Sequence, residues 1–499
     1  MSKLLFVASE VTPLIMTGGL ADVCGSLPVA LKAMRWSVRL LMPAYPQAVK
    51  QAAPTRLIAT LHLRGTPGEV KILEGHLPGA NLPVWLVDYA PAFERAGNPY
   101  AKTDGTDWPD NAERFALLSR CAVEIAQGRA NLSWIPDVVH CNDWQTGLAP
   151  ALLSTESPRP ATVFTIHNLA YQGLFPARTF QALGLPEVLW SPEGLEFHGK
   201  LSFIKGGLAF ADHITTVSPS YAEEIQTAQC GCGLEGLLHY RRHVLTGILN
   251  GIDEKAWNPE KDKHITQTYS VDTLHKKSHN KQALLKDFHF PVNASAATSS
   301  KNRSADNGQR LLLGSVGRLA EQKGIDLLLD IIGRLAALDV QCVLLGSGDK
   351  HLEKSLRAAA RRYPDTLGVH FAYDDRLAHR IKAGADAFLM PSNFEPCGLS
   401  QLYSLRYGTP PIVHSVGGLK DTVVDSSSAA LKAGAATGFR FSPATPDALL
   451  ESIERAITLY AQPQQWNKLC KTGMTQCFNW RSSARRYAEL YRGLLKSAR

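Results

Sequence analysis

The chain has 499 residues, of which 45% are hydrophobic and 20% charged, and its formal net charge is +8. That length exceeds one ordinary domain, and the composition excludes global disorder. No Lys/Arg run is long enough for a nucleic-acid arm, and no apolar run approaches the ~18 residues of a membrane-spanning helix. The mild basic excess suits an anionic small substrate without demanding one. Nine cysteines (Cys24, Cys121, Cys141, Cys230, Cys232, Cys342, Cys397, Cys470 and Cys477) form no CxxC pair. A reduced cytosolic thiol set is expected. The apolar stretch in "MSKLLFVASE" is too short for a secretory signal, so a cytoplasmic, soluble protein is expected.

In chain order, short apolar runs alternate with helical patterns. "KLLFVAS" (3–9), "VRLLMP" (38–43), "VWLVD" (84–88), "DVVHC" (137–141), "TVFTI" (162–166) and "HITTV" (213–217) read as strands. Between them lie helical periodicities such as "NAERFALLSRCAVEIAQ" (111–127). Runs without in–out alternation suit strands buried on both faces, as in parallel sheets. The pattern breaks at "PVNASAATSSKNRSADNGQ" (291–309), whose only large aliphatic residue is one valine. This stretch is expected to be a flexible loop. Alternation then restarts with strands at 310–316, 341–347, 368–372 and 386–391. Helices are expected from Ile325 and from about Lys350, Arg376 and Leu399. The segment 480–499 reads as a helix with Tyr487, Leu490, Tyr491 and Leu494 on one face. Two α/β domains of doubly wound type result. In such sheets ligands bind beyond the carboxyl ends of the strands, so chemistry is sought in the loops there.

In "LIMTGGLADV" (14–23), Gly18 and Gly19 open a helix whose first charge is Asp22. "HCNDWQTG" (140–147) and "TIHNLAYQG" (165–173) place Asn142, Asp143, Trp144, His167 and Asn168 at strand ends. "SVGRLAEQKGIDLLL" (315–329) sets Arg318 and Lys323 beside a helix start, either as a phosphate site or as exposed loop charges. In "PSNFEPCGLSQLYSLRYGTPPIV" (391–413), Glu395 sits on a turn before a helix. It can accept bonds from sugar hydroxyls or complement the helix dipole. "GGLKDTV" (417–423) echoes "GGLADV" (18–23), so each domain carries a Gly–Gly helix start. No metal-ligand spacing, P-loop or GxSxG elbow occurs.

Together with "LEFHGKLSFIKGGLAFADHITTVSPSYAEEI" (195–225) and "ILNGID" (248–253), these stretches resemble bacterial glycogen synthases and plant starch synthases. The resemblance runs from about residue 3 to the C-terminus, with 291–309 as an extra loop. It implies a GT-B fold: α/β, two Rossmann-like doubly wound domains facing a central cleft, with the C-terminal helix crossing back. The domains would span 1–252 on the acceptor side and 253–479 on the nucleotide-sugar side, with helix 480–499 packing on the first.

The implied activity moves glucose from ADP-glucose to the non-reducing end of an α-1,4-glucan, as in glycogen synthesis. Configuration is retained, with no cofactor and no metal, and neither nucleic acid nor membrane is a partner. Matched residue by residue, His167, Arg318, Lys323 and Glu395 would be catalytic. Of these, Arg318 and Lys323 would hold the diphosphate, Glu395 the glucose hydroxyls, and His167 would lie near the reacting carbon. Gly18, Gly19, Asp22, Asn250, Tyr373, Cys397, Gly398, Leu399, Gly417 and Gly418 would bind the donor, Tyr373 by stacking on adenine. Asp143 and Asn168 would face the acceptor. Two positions depart from the family pattern: Met16 stands where a lysine is usual, and Gln145 where a histidine is usual. Met16 leaves a second reading, a weakly catalytic glucan- or nucleotide-binding homologue. A third is an α-glucan synthase using UDP-glucose.

Overall fold

The computed structural model describes residues 1–290 and 310–497. The stretch 291–309, read above as a flexible loop, lies outside the described residues. The chain divides into two compact units. Unit 1 comprises Met1–Gly251 with Asn479–Arg499, and unit 2 comprises Ile252–Phe478.

Unit 1 is built on strands β1 (Lys3–Val7), β2 (Ser37–Pro43), β3 (Arg56–Leu61), β4 (Val70–Leu77), β5 (Leu82–Asp88), β6 (Val138–Asn142) and β7 (Ala161–Ile166). Three short strands follow, β8 (Leu174–Pro176), β9 (Glu196–Phe197) and β10 (Lys200–Ser202), then β11 (His213–Thr216) and β12 (Leu245–Gly247). The main sheet runs β12-β11-β7-β6-β1-β2-β5-β4-β3. From β12 to β5 all pairs are parallel, while β5–β4 and β4–β3 are antiparallel. The central strand β1 is apolar from Leu4 to Val7 because both its faces are covered: Leu4, Leu5, Phe6 and Val7 have no exposed surface. Direction of crossover reverses at β1, whose neighbours are β2 and β6, and this is the sheet's switch point.

The sequence reading did not anticipate β3 and β4. In β4, Val70 and Ile72 are buried while Lys71 is exposed, the alternation of a half-covered antiparallel strand. The edge strand β3 is tied to it by Arg56–Glu74 at 2.7 Å. The small sheet β8-β10-β9 was likewise not expected.

The last helix, Trp480–Ser497, belongs to unit 1. The hydroxyl of Tyr491 pairs with His140 Nδ1 at 2.6 Å, and His140 Nε2 pairs with Thr165 Oγ1 at 2.5 Å. Burial pushes His140 down to about 3, so the ring is neutral and serves as one donor and one acceptor. The expected apolar face of this helix is met at Tyr487 and Tyr491 and only in part at its leucines. Ser483, Ala484, Tyr487, Ala488 and Tyr491 are buried, whereas Leu490 and Leu494 are half-buried. Small residues let the helix lie close to its neighbours, so the buried stripe follows Ser and Ala rather than Leu.

Among its described residues, unit 2 has six parallel strands: β13 (Leu312–Val316), β14 (Gln341–Leu345), β15 (Leu367–His370), β16 (Ala387–Met390), β17 (Pro411–His414) and β18 (Phe439–Phe441). Their order is β15-β14-β13-β16-β17-β18, so the switch point lies between β13 and β16. Helices cover both faces. Ile325–Ala337 and Pro446–Tyr460 pack on one core, which includes Leu313, Ile331 and Ile453, and Asp375–Gly384 packs on another, which includes Leu312, Ile381 and Phe388. Among the described residues, no helix is long and apolar enough to cross a membrane.

Candidate active site

The unit 1 residues gather at the carboxyl ends of β1, β6 and β7. Glu10, just past β1, is 3% exposed. Its Oε2 accepts the Thr17 hydroxyl at 2.8 Å and the Thr17 backbone N–H, and its Oε1 accepts the Tyr100 hydroxyl at 3.1 Å. Burial raises the Glu10 carboxyl, and the bonds from Thr17 and Tyr100 oppose that. Arg114 is buried and donates to Ala92 O at 2.7 Å and Pro99 O at 3.0 Å, which fixes the segment carrying Tyr100. This polar network holds the glycine loop from beneath. Gly18 then caps helix Gly19–Ala33 without a side-chain bond, leaving its first backbone N–H groups without a side-chain cap. A Cβ on Gly18 would meet nothing within 4 Å, so open space adjoins it. Met16 is 41% exposed, and Asp22 in the first helical turn accepts the Thr12 hydroxyl at 3.4 Å.

Asp143 follows β6 with φ 56 and ψ 178, a region almost reserved for glycine. Its Oδ1 accepts His167 N–H at 2.8 Å, and the carboxylate also takes the Asn168 backbone N–H. The strained residue thus fixes the turn that follows β7. Asn142 Nδ2 donates to Val7 O at 3.0 Å, leaving its Oδ1 to accept from His167 Nε2 at 3.0 Å. His167 therefore carries its proton on Nε2. Burial pushes it down to about 3, so the imidazole is neutral at neutral pH. The Asn168 side chain accepts Ala170 N–H at 3.1 Å. Asn250, past β12, is buried, and its Oδ1 has no hydrogen-bond partner among the described residues.

Burial pushes Asp143 up to about 7, against the two backbone N–H bonds that favour its charged form. An acid raised in the folded state binds its proton there more tightly than when unfolded. It therefore weakens folding as pH rises from about 4 to 7. Asp143→Asn keeps an acceptor for His167 N–H and removes the titration. The stability of the variant relative to the parent is expected to improve as pH rises from 5 to 7, by at most about 1.4 kcal/mol per pH unit. Urea midpoints at both pH values check this; a difference that is flat with pH would refute it.

The unit 2 residues lie at its switch point. Lys323, in the loop after β13, pairs with Glu395 Oε2 at 2.6 Å. Glu395 is 6% exposed and also accepts the Ser392 hydroxyl at 3.1 Å. The two loops are laced together by Asn393 N–H to Gln322 O at 2.9 Å and Gln322 Nε2 to Phe394 O at 3.2 Å. Gly324 stands at φ 64, where a Cβ would lie 2.0 Å from Pro391 O. The second close approach is Gly418, where a Cβ would lie 2.2 Å from Cys397 O, and Gly418 N–H bonds Glu395 O at 3.1 Å. Gly417 opens helix Gly417–Thr422, and Leu399 caps helix Ser400–Arg406. Gln401 Nε2 donates to Cys397 O and Gly398 O, both at 2.9 Å. Arg318 is exposed after β13, and Tyr373, after β15, is 76% exposed, so most of its ring is accessible.

Bonds thus join Lys323, Glu395, Cys397, Gly398 and Gly418 in unit 2, and Asp143, His167 and Asn168 in unit 1. Sequence reasoning missed Glu10, Tyr100, Arg114 and Ser392. Glu10 had a signal, being a charged residue directly after an apolar strand. Among the described residues, no group of three or more His, Cys, Asp or Glu is placed to hold a metal ion.

Residues 3–240 match the starch synthase catalytic domain, and residues 297–471 match the glycosyl transferases group 1 family. Glycogen synthase 1 of Methylococcus capsulatus is 55% identical over 493 residues, covering 99% of this chain and 97% of that protein. Glycogen synthase of Thioalkalivibrio sulfidiphilus is 54% identical over 495 residues, covering 99% and 100%. Among solved structures, the catalytic domain of starch synthase IV from Arabidopsis thaliana, bound to ADP and acarbose, has a TM-score of 0.86. It is 31% identical, and the match covers 99% of each chain. Sucrose-phosphate synthase from Thermosynechococcus elongatus, at 17% identity and TM-score 0.59 over the whole of both chains, shares the fold.

Two doubly wound sheets, with charged and glycine-bearing loops past their strands, make this a glycosyltransferase enzyme of the GT-B fold. The chain belongs to the glycogen synthase family. Membership brings glucosyl transfer in glycogen synthesis, from a nucleotide-sugar donor to a glucan acceptor.

Proposed function

We propose that the donor is ADP-glucose and that glucose is added, with retention and without a metal, to the non-reducing end of an α-1,4-glucan in the cytoplasm. The observation that carries this reading is the Lys323–Glu395 pair at the switch point of unit 2. Breaking the sugar–phosphate bond puts charge on the departing diphosphate. Lys323 supplies a point charge and Arg318 a forked donor for it. Glu395, kept buried and oriented by Ser392 and Lys323, accepts from glucose hydroxyls. The open ring of Tyr373 offers a stacking face for adenine. The ADP in the starch synthase IV structure supports the choice of nucleotide. In unit 1, Gly18, Gly19, Asp22 and Asn250 are donor-binding residues. Neutral His167 lies near the reacting carbon, with Asp143 and Asn168 toward the acceptor.

The test is incorporation of labelled glucose into glycogen, with ADP-glucose and UDP-glucose run side by side. ADP-glucose is expected to be preferred by at least about tenfold in kcat/KM. The reverse preference would establish the UDP-glucose reading, and no transfer from either would establish the binding-protein reading.

Met16 enters the same assay. One preorganised donor to a developing anion is typically worth about 10²–10³ in rate. Met16 is 41% exposed, so a lysine fits there without repacking. Met16→Lys is expected to raise kcat/KM for the donor by tenfold or more, up to about that limit. An unchanged value would show that a cation at this position is dispensable in this chain.

A further inference from the structure

We propose that Trp257 is a positioning residue for the donor loop Cys397–Leu399, acting through Tyr403. The proposal rests on the assignment of that loop to the sugar nucleotide. Trp257 is half-buried and lies in an irregular segment just after the chain enters unit 2. Its indole is nonetheless clamped on both faces. His379 stacks at 3.8 Å and 7°, and Tyr403 stacks at 4.0 Å and 15°. Two parallel rings this close cannot share one face, so they occupy opposite ones.

Each side of the stack is anchored differently. His379 is held by Asp262 Oδ2 at 2.7 Å, and the same oxygen accepts the Tyr407 hydroxyl at 2.5 Å. The Lys382 ammonium nitrogen lies 4.9 Å from the Trp257 ring centroid and 5.8 Å from that of Tyr403. Tyr403 is on helix Ser400–Arg406, and its N–H bonds Leu399 O at 3.0 Å. Leu399 packs into one apolar cluster with Ile252, Trp257, Leu402, Tyr403 and Phe478. Ile252 and Phe478, the first and last residues of unit 2, are joined there by Ile252 N–H to Phe478 O at 2.8 Å.

The mechanical consequence follows from the order of contacts. The N-terminus of helix Ser400–Arg406 carries the loop of Cys397, Gly398 and Leu399. Alongside the packing of that helix on its sheet, Tyr403 seats its first turn against the indole. Without the indole, Tyr403 and Leu399 settle into the vacated slot, and the loop's backbone N–H groups move with them. Donor affinity depends on their placement, whereas the acceptor-side residues of unit 1 are untouched.

The experiment compares Trp257→Leu and Trp257→Phe in the full-length enzyme, with kcat and KM measured separately for ADP-glucose and glycogen. Trp257→Leu is expected to raise the donor KM about tenfold, equivalent to about 1.4 kcal/mol, and to leave the glycogen KM within about twofold. Trp257→Phe, which keeps a stacking ring, is expected to restore most of the donor affinity. Binding of ADP alone, measured by calorimetry, should weaken in parallel with the KM. If Trp257→Leu does not fold, Tyr403→Leu removes the same link from the other side and is expected to show the same donor-specific change.

An unchanged donor KM in a folded variant would overturn the proposal. So would a fall in kcat with both KM values intact, which marks only lost active protein. A Trp257→Phe variant as impaired as Trp257→Leu would also refute it. These failures leave the donor-loop assignment standing. A parent enzyme that transfers glucose from neither ADP-glucose nor UDP-glucose overturns both.

Discussion

Lys323→Ala is expected to lower kcat/KM for the sugar nucleotide by about 10²–10³, or roughly 2.7–4 kcal/mol of transition-state stabilisation. The lysine is already committed to the site before any donor arrives, because its ammonium sits 2.6 Å from Glu395. A diphosphate gives that cation a second anionic partner at the moment charge develops. The variant loses this contact and also leaves Glu395, 6% exposed, without its cation. A hydrogen bond to a charged group is worth about 1.5–3 kcal/mol, so stability should fall by a similar amount. The two losses separate in a double variant. Lys323→Ala with Glu395→Gln removes the orphaned charge and should recover part of the stability while activity stays low. Initial rates and urea midpoints for the four proteins of this cycle check the claim. Full activity in Lys323→Ala would mean that the lysine serves only to hold Glu395.

The second large effect is expected from Gly324→Ala. The residue sits at φ 64, and an added methyl would lie 2.0 Å from Pro391 O, a backbone atom with no rotamer to change. The loop after β13 and the loop after β16 must then separate. We expect unit 2 to lose more than about 4 kcal/mol, the range reserved for backbone strain combined with a steric clash. The Lys323–Glu395 distance opens with it, so activity falls even in the fraction that folds. Unfolding followed by limited proteolysis checks which part fails. Cleavage should begin within Ile252–Phe478, while Met1–Gly251 persists longer. A variant as stable as its parent would show that the loops can part cheaply.

Much of this architecture was legible in the sequence, for a physical reason. Strands covered on both faces by helices read as largely apolar runs without in–out alternation, as β1 and β16 do, and β6, β7 and β13 keep that character around a few small or polar residues. The hairpin β3–β4 escaped notice because its covering is one-sided, and Lys71, Glu74 and His76 interrupt the run. Strands of two or three residues, such as those of the small sheet β8-β10-β9, are too short for any periodicity to register. In the last helix, Leu490 and Leu494 are only half-buried, while the small residues Ser483, Ala484 and Ala488 are buried beside the tyrosines.

The site shows the same division. Arg318, Lys323, Glu395 and the glycine pairs were visible as strand-end residues. That Lys323 and Glu395 bond each other was not, because the partners are 72 positions apart and only the sheet order brings them together. Glu10 was visible as a charge just past an apolar strand, but its partners were not. Its worth lies in Thr17, Tyr100 and the Arg114 that fixes the Tyr100 segment, and no local pattern connects those positions.

The return of Trp480–Ser497 to unit 1 has a consequence for how the protein is made. During synthesis the chain emerges from its N-terminus, and domains generally fold in that order. Here the stretch Ile252–Phe478 is contiguous and can close as soon as it has left the ribosome. The half that is translated first lacks one of the two partners of His140 until Tyr491 arrives, some 350 codons later. Until then it waits with an uncovered seam beside Trp36, against which the Tyr491 ring packs edge-on at 5.3 Å. The first half to be written is the last to be finished, and a ribosome that stalls within the final stretch leaves one half complete and the other unsealed.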